Sequence, residues 1–298
     1  MINTQTLYQS RTLPAQDQLL LHYLIWPNRH SQQCTVLLHG FTNDAHIFDT
    51  AAQSLQSLMS VYCFDFRGHG DSAWDTEEKY HHNQLEQDLV LFLEQLPFQR
   101  IHLVGHSLGA RVAMLLLGRH ASLKQRIKSF TIIDTGPEVR AVGVNKVRED
   151  AENTPTAFPD SQSYYQYLTN IYLLAEKTEL QRMAAYGLRE IDGQLAPKTD
   201  PAFTRALWKP EANAGNSSDL KFPLNEELWQ SLAAITCPTL VMKGQASAIL
   251  GQRIAEKMVN DVMPNACLDT ISRAGHALMV DNPEEFTEKL KAFIKTHI

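Results

Sequence analysis

Five consecutive residues, Gly105-His106-Ser107-Leu108-Gly109, follow the pattern G-x-S-x-G. Five residues alone are a weak signal, but their surroundings strengthen it. The apolar run Ile101-His102-Leu103-Val104 reads as a strand, and Ala110 to Leu117 is compatible with a helix. A serine on a tight strand-to-helix turn has its oxygen exposed as a nucleophile. The glycines remove side chains that would strike neighbouring backbone, and the helix N-terminus favours negative charge nearby. Ser107 is therefore the candidate nucleophile.

Acyl transfer also needs two N–H donors aimed at a developing oxyanion, and a base within reach of the nucleophile. Leu108, directly after Ser107, is placed to supply one donor. Phe41, in His39-Gly40-Phe41 after the strand-like run Thr35 to Leu38, is placed to supply the other. Among twelve histidines, His276 in Ala274-Gly275-His276-Ala277 is the best base. It follows the strand-like stretch Cys267 to Ile271 and precedes the terminal helix. His81-His82 suggests a metal at first sight. No carboxylate or cysteine has ligand spacing near it, so it reads as a solvated loop, and no metal or cofactor is expected.

The elements that must position these residues alternate. Val61 to Phe64, Phe130 to Ile133 and Leu240 to Met242 are further strand-like runs, of the continuous apolar kind that suits strands buried on both faces. Leu85, Leu89, Phe92 and Leu96 recur at helical spacing. Asn282, Pro283 and Glu285 open a last helix as a capping pattern, followed by the stripe Phe286, Leu290, Phe293 and Ile294. Such alternation predicts an α/β protein with a mostly parallel sheet. It stops after Asp134. Residues 136–234, rich in tyrosine and tryptophan, read as an inserted helical cap, and residues 1–135 and 235–298 as the core. Within the cap, Ala212 to Asp219 is a low-complexity patch expected as an exposed loop.

Composition narrows the function class. The chain has 298 residues, 44% hydrophobic and 20% charged, with a net charge of −6. Its Lys and Arg residues are scattered, which argues against nucleic acid and membrane partners and leaves a small-molecule substrate. Cys34, Cys63, Cys237 and Cys267 form no CxxC pair and lie in or beside apolar runs, so they read as reduced and buried. Met1 to Gln18 is polar and lacks the apolar segment of a signal peptide. The expected location is the cytoplasm.

In its motifs and their order the chain resembles the α/β-hydrolase superfamily. The matching pieces are His39-Gly40-Phe41, Asp65-Phe66-Arg67-Gly68-His69-Gly70-Asp71-Ser72, Gly105 to Gly109 and Gly275-His276. The resemblance implies an eight-stranded, mainly parallel sheet, a cap inserted after the sixth strand, and a Ser–His–acid triad. It makes Arg67 to Ser72 a structural turn near the site. A serine nucleophile points to esters and related carbonyl compounds, and away from the dehalogenases and epoxide hydrolases that use aspartate.

One triad member is absent from its usual place. In most relatives the acid follows the strand that here ends at Lys243-Gly244. This chain continues Gln245-Ala246-Ser247-Ala248-Ile249-Leu250, with Ala248 where an aspartate is expected. Some branches place the acid after the strand that here ends at Asp134, and Asp134 is the favoured candidate. Loss of the acid at Ala248 stays open on sequence. So do two other classes within the fold: a cofactor-free dioxygenase and a ligand-binding protein without hydrolysis.

Overall fold

The computed structural model describes residues 8–208 and 224–298. The patch Ala212 to Asp219 lies outside the described residues. An eight-stranded sheet forms the centre, built from β1 (Gln9–Pro14), β2 (Leu20–Trp26), β3 (Cys34–Leu38), β4 (Ser60–Phe64), β5 (Ile101–His106), β6 (Ile127–Ile133), β9 (Thr239–Gly244) and β10 (Ala266–Ile271). Its order is β1-β2-β4-β3-β5-β6-β9-β10. Every pairing from β4 to β10 is parallel. The mostly parallel α/β architecture expected from the sequence is thus present, and each apolar run read as a strand lies within one.

Burial explains why those runs are continuous. Every residue of β3, β5 and β9 is buried, because helices cover both faces of the sheet. One face packs against α2 (His82–Gln95), α3 (Leu108–Arg119) and α9 (Asn225–Ala233). The other packs against α1 (Asp49–Leu55) and α12 (Pro283–Lys295). Asn282 caps α12 by accepting from Glu285 N–H at 3.3 Å, with Pro283 at its first position, as its sequence pattern predicts.

The antiparallel edge was not legible beforehand. β1 pairs with β2, and β2 with β4, in antiparallel register. β1 is polar and largely exposed. β2 is interrupted by His22, a buried residue whose ring is satisfied by Ser10 Oγ at 2.8 Å and Asp65 Oδ2 at 2.7 Å.

Between β6 and β9 the chain forms α4's successors rather than strands of the main sheet: after α4 (Ala121–Arg126) and β6 come α5 (Ala141–Glu152), α6 (Ser161–Ile171), α7 (Lys177–Tyr186) and α8 (Pro201–Trp208). The stretch read as a helical cap also holds an antiparallel hairpin, β7 (Leu188–Ile191) with β8 (Gln194–Pro197). Its last helix, α9, lies against α3, so closely that a Cβ on Gly118 would sit 2.3 Å from Ser231 Oγ. After β9 come α10 (Gln252–Lys257) and, beyond β10, the short α11 (Leu278–Asp281).

Two local expectations need correction. Cys34 and Cys63 are buried, but Cys237 is only half-buried and Cys267 is exposed, although all four are free thiols. Cys267 sits on β10, the sheet edge, where alternate side chains face solvent. His82 is not in a solvated loop. It is the first residue of α2 and half-buried, and burial with the nearby Arg111 charge brings its imidazole pKa down to about 3.

Candidate active site

The C-terminal ends of β5 and β6 lie side by side, and each ends in a residue with unusual backbone geometry. Ser107 follows β5 with φ 49°, and Asp134 follows β6 with φ 49°. A non-glycine residue in that region carries strain, which surrounding structure must hold. Ser107 N–H donates to Ile133 O at 3.1 Å, and Asp134 N–H donates to Met242 O at 2.8 Å. Both turns are thereby pinned to a neighbouring strand.

The glycines around Ser107 are needed for contact, not for dihedral freedom. A Cβ on Gly105 would lie 2.5 Å from Ala110 Cα, and one on Gly109 would lie 2.6 Å from Leu38 O. Strand, turn and helix pack too tightly there for any side chain.

His276 comes to this point from the far end of the chain. Its Nε2 accepts from Ser107 Oγ–H at 3.0 Å, and its Nδ1–H donates to Asp134 Oδ2 at 2.8 Å. The three residues singled out from sequence as nucleophile, base and favoured acid thus form one hydrogen-bonded line. Asp134 is fully buried. Its Oδ1 accepts from Gly244 N–H at 3.0 Å, and its Oδ2 also accepts from Ser247 Oγ–H at 2.6 Å.

The loop that lacks a carboxylate therefore serves Asp134. Ser247 Oγ in turn accepts from the N–H groups of Ile249 and Leu250 at 3.1 and 3.0 Å. Ala248 points elsewhere: it is exposed, on the wall of a large cavity.

The residues expected to offer oxyanion donors adjoin Ser107. A Cβ on Gly40 would come within 3.2 Å of Ser107 Cβ, so the turn carrying Phe41 lies against Ser107. Phe41, Ser107, Leu108 and His276 line one small cavity together. Phe41's ring stacks on Phe203 of α8 at 5.5 Å.

Two positioning residues escaped sequence reasoning. His106, inside the motif itself, donates Nε2–H to His276 O at 2.9 Å. Burial, reinforced by His276, holds its pKa far below the usual imidazole value, so it stays neutral and keeps that donor. Asp281 accepts from Gly275 N–H at 2.8 Å, and burial pushes its carboxyl up to about 6. Partners 170 positions apart leave no local pattern. Ser247 was similarly hidden, since a lone serine after a strand has no distinguishing signature.

Behind the site, the Asp65-to-Ser72 stretch ties loops together. Arg67 is fully buried and grips Asp88 with two hydrogen bonds of 2.6 and 2.8 Å, Asp75 at 2.8 Å and Asp17 at 3.0 Å. His22, Asp65 and Asp71 are, among the described residues, a group whose ligand atoms converge. Asp65 already accepts from His22 Nδ1–H and from the N–H groups of Ala45 and Asp71, at 2.7, 2.6 and 3.0 Å. A metal would have to displace those bonds.

A cavity of about 720 Å³ opens onto Ser107 and His276. Its far walls come from the β6–β9 segment, including Tyr164, Tyr172 and Leu174. A small cavity of about 70 Å³ adjoins it, and Phe41, Ser107, Val147, Ile249 and His276 line both.

With this geometry in view, comparison with known proteins gives the family. The family model described as the alpha/beta hydrolase fold matches residues 36–283. The chain belongs to the α/β-hydrolase fold family. A relative is 2-(acetamidomethylene)succinate hydrolase of Mesorhizobium japonicum, 22% identical over 87% of this chain and 87% of that protein. Another is 3-hydroxybutyrate-oligomer hydrolase of Cupriavidus necator, 26% identical over 80% of each. A solved α/β hydrolase from Novosphingobium aromaticivorans superposes with a TM-score of 0.79 at 26% identity, covering 97% of this chain and 98% of that one. The chain is a hydrolase of this family. Among the described residues no helix is long and apolar enough to cross a membrane.

Proposed function

We propose that the protein is a serine hydrolase that cleaves a carboxylic ester or related carbonyl compound through an acyl-enzyme on Ser107. The observation that carries this is the unbroken line from Ser107 Oγ through His276 to buried Asp134. Ser107 Oγ attacks the carbonyl carbon as His276 Nε2 takes its proton. Asp134 keeps the imidazole in the Nδ1–H tautomer and stabilises its cation. The N–H groups of Phe41 and Leu108 receive the oxyanion. His276 then protonates the departing oxygen, an alcohol leaves, and a water activated by the same imidazole releases the acid.

Asp134 as the acid answers the missing carboxylate at Ala248. Three donors converge on it, and the loop bearing Ala248 supplies two of them. Residues 136–208 act as a cap, since they wall the cavity over Ser107. The substrate is a small molecule, and no step needs a cofactor.

A fluorophosphonate probe and short p-nitrophenyl esters test the reading. The wild-type chain should be labelled and should turn over ester, and Ser107→Ala should do neither. An unlabelled wild type, or a Ser107→Ala variant as active as wild type, would overturn it.

A further inference from the structure

The donor expected from Phe41 belongs to the peptide unit that joins it to Gly40, and that unit is held from both ends. Gly40 O accepts from His39 Nδ1–H at 2.8 Å and from Asn43 N–H at 3.2 Å. His39 Nε2 accepts from Phe66 N–H at 3.1 Å, so a flip of the ring would lose both of its bonds. The peptide is trans and planar, so fixing Gly40 O in one direction aims the Phe41 N–H in the opposite one. At the other end, the Phe41 ring stacks on Phe203 of α8, with centroids 5.5 Å apart and planes 28° apart. We propose that Phe203 is a positioning residue for the oxyanion donor: it holds the Phe41 ring and the imidazoles behind it, and so ties the docking of α8 to the rate of acyl transfer. This deepens the acyl-enzyme reading and rests on it.

Phe203 does not act by touching substrate. It is 0% exposed, and the walls of the two cavities at Ser107 include its neighbours Pro201 and Thr204 but not Phe203 itself. Its contacts run to the core instead. The His69 ring packs edge-on against Phe203 at 4.5 Å and against Phe41 at 5.9 Å, and lies 5.1 Å from the His39 ring. His69 Nδ1–H donates to Arg67 O at 3.2 Å. Burial, reinforced by His39, brings the His69 pKa down to about 3, so it stays neutral beside its neighbour. Phe203 thus bears on the turn twice, on Phe41 directly and on His39 through His69.

The start of α8 is pinned where this contact needs it. Asp200 N–H donates to Gly68 O at 2.8 Å, and Asp200 Oδ1 accepts from Ala202 N–H at 2.8 Å. The Tyr80 hydroxyl donates to Asp200 Oδ2 and accepts from Asp75 N–H at 2.7 Å. The Tyr80 ring lies 4.8 Å from Phe203, and a Cβ on Gly68 would come within 2.7 Å of Tyr80 and 3.3 Å of Phe203. The β6–β9 segment therefore contributes a buried wedge behind the oxyanion turn, besides walls to the large cavity.

The test measures kcat and KM for p-nitrophenyl butyrate on the full chain carrying Phe203→Ala, Phe203→Leu, Phe41→Ala, or Phe203→Ala with Phe41→Ala. Phe203→Ala should lower kcat on the order of 100-fold, the effect of one misplaced donor, with KM within about threefold of wild type. Phe203→Leu restores bulk without a flat ring and should recover about tenfold of that loss. Affinity for a trifluoromethyl ketone, which forms a tetrahedral oxyanion on Ser107, should fall in proportion to kcat. Phe41→Ala keeps its N–H and loses its ring, so the double variant should lie within about threefold of the slower single variant. A Phe203→Ala kcat within about threefold of wild type, or a double variant whose loss is the product of the two single losses, would overturn the assignment. If Phe203→Ala does not fold, Phe203→Leu takes its place in both comparisons, with a loss of about tenfold expected. A fluorophosphonate separates the two failures. If wild-type Ser107 is labelled and the Phe203 variants keep their kcat, only the Phe203 assignment is lost; if Ser107 is not labelled, the acyl-enzyme reading is lost as well.

Discussion

Asp134 is held by more than an orienting role alone would require. It is fully buried, it takes N–H and O–H donors from Gly244, Ser247 and His276, and its backbone is strained at φ 49°. Three hydrogen bonds replace the water that its charge lost on burial. Asp134→Asn should lower kcat on a p-nitrophenyl ester by about four orders of magnitude, because the amide favours the wrong imidazole tautomer. Ala248→Asp should give no gain, since the His276 ring is already committed to Asp134. A gain in kcat from Ala248→Asp would mean that the loop had lost the acid.

The carboxyl of Asp281 is pushed up to about 6, chiefly by burial. The folded chain therefore keeps its proton between about pH 4 and 6, where an unfolded chain has lost it. Its penalty is absent below that window and complete above it, at up to about 3 kcal/mol. Asp281→Asn retains an acceptor for Gly275 N–H without the charge. Its melting temperature should exceed that of wild type at pH 8, and the difference should vanish near pH 4.5.

At the scale of elements, the approach of α3 to β3 sets the site. Gly109 sits where a Cβ would strike Leu38 O at 2.6 Å and His39 O at 2.7 Å. Gly109→Ala must push the helix N-terminus away from the strand. That should cost about 1–3 kcal/mol of stability. It also displaces the Leu108 N–H from its proposed oxyanion position, so kcat should fall on the order of 100-fold. Denaturant midpoints and kcat measured on the same preparation check both effects. Retained kcat with lowered stability would separate Leu108 from the oxyanion site.

Over the whole molecule, the buried Arg67 is a junction. Asp17 comes from the turn between β1 and β2, Asp75 from the loop before α2, and Asp88 from α2 itself, and all three carboxylates meet one guanidinium. Removing one partner of a buried ion pair leaves uncompensated charge and costs about 3–5 kcal/mol. Arg67→Gln should destabilise by about that amount in urea titration while leaving Ser107 labelling intact under native conditions. The same loop region reaches the β6–β9 segment, where Asp200 N–H donates to Gly68 O at 2.8 Å and Trp74 Nε1–H donates to Lys198 O at 2.9 Å. The junction therefore also anchors one rim of the large cavity.

What the sequence by itself determined is local. Continuous apolar runs mark strands buried on both faces, Asn282-Pro283 marks a helix start, and Gly105 to Gly109 marks a turn too crowded for side chains. In each case the cause acts between residues close in the chain. The candidates Ser107 and His276 were legible because Ser107 stands between Gly105 and Gly109 directly after a strand, and His276 follows Gly275 in the loop after the last strand. The antiparallel β1–β2 edge was not, because an exposed edge strand needs no apolar pattern, and the burial of His22 depends on Asp65, 43 positions away. Only the tertiary structure decided what surrounds Ser107. It set Asp134 against His276 across 142 positions, turned the loop at Ala248 into Asp134's support through Ser247, and closed His106 onto His276. Parallel strands bring distant strand ends to one edge of a sheet, and a carboxylate's role there follows from which donors the fold aims at it.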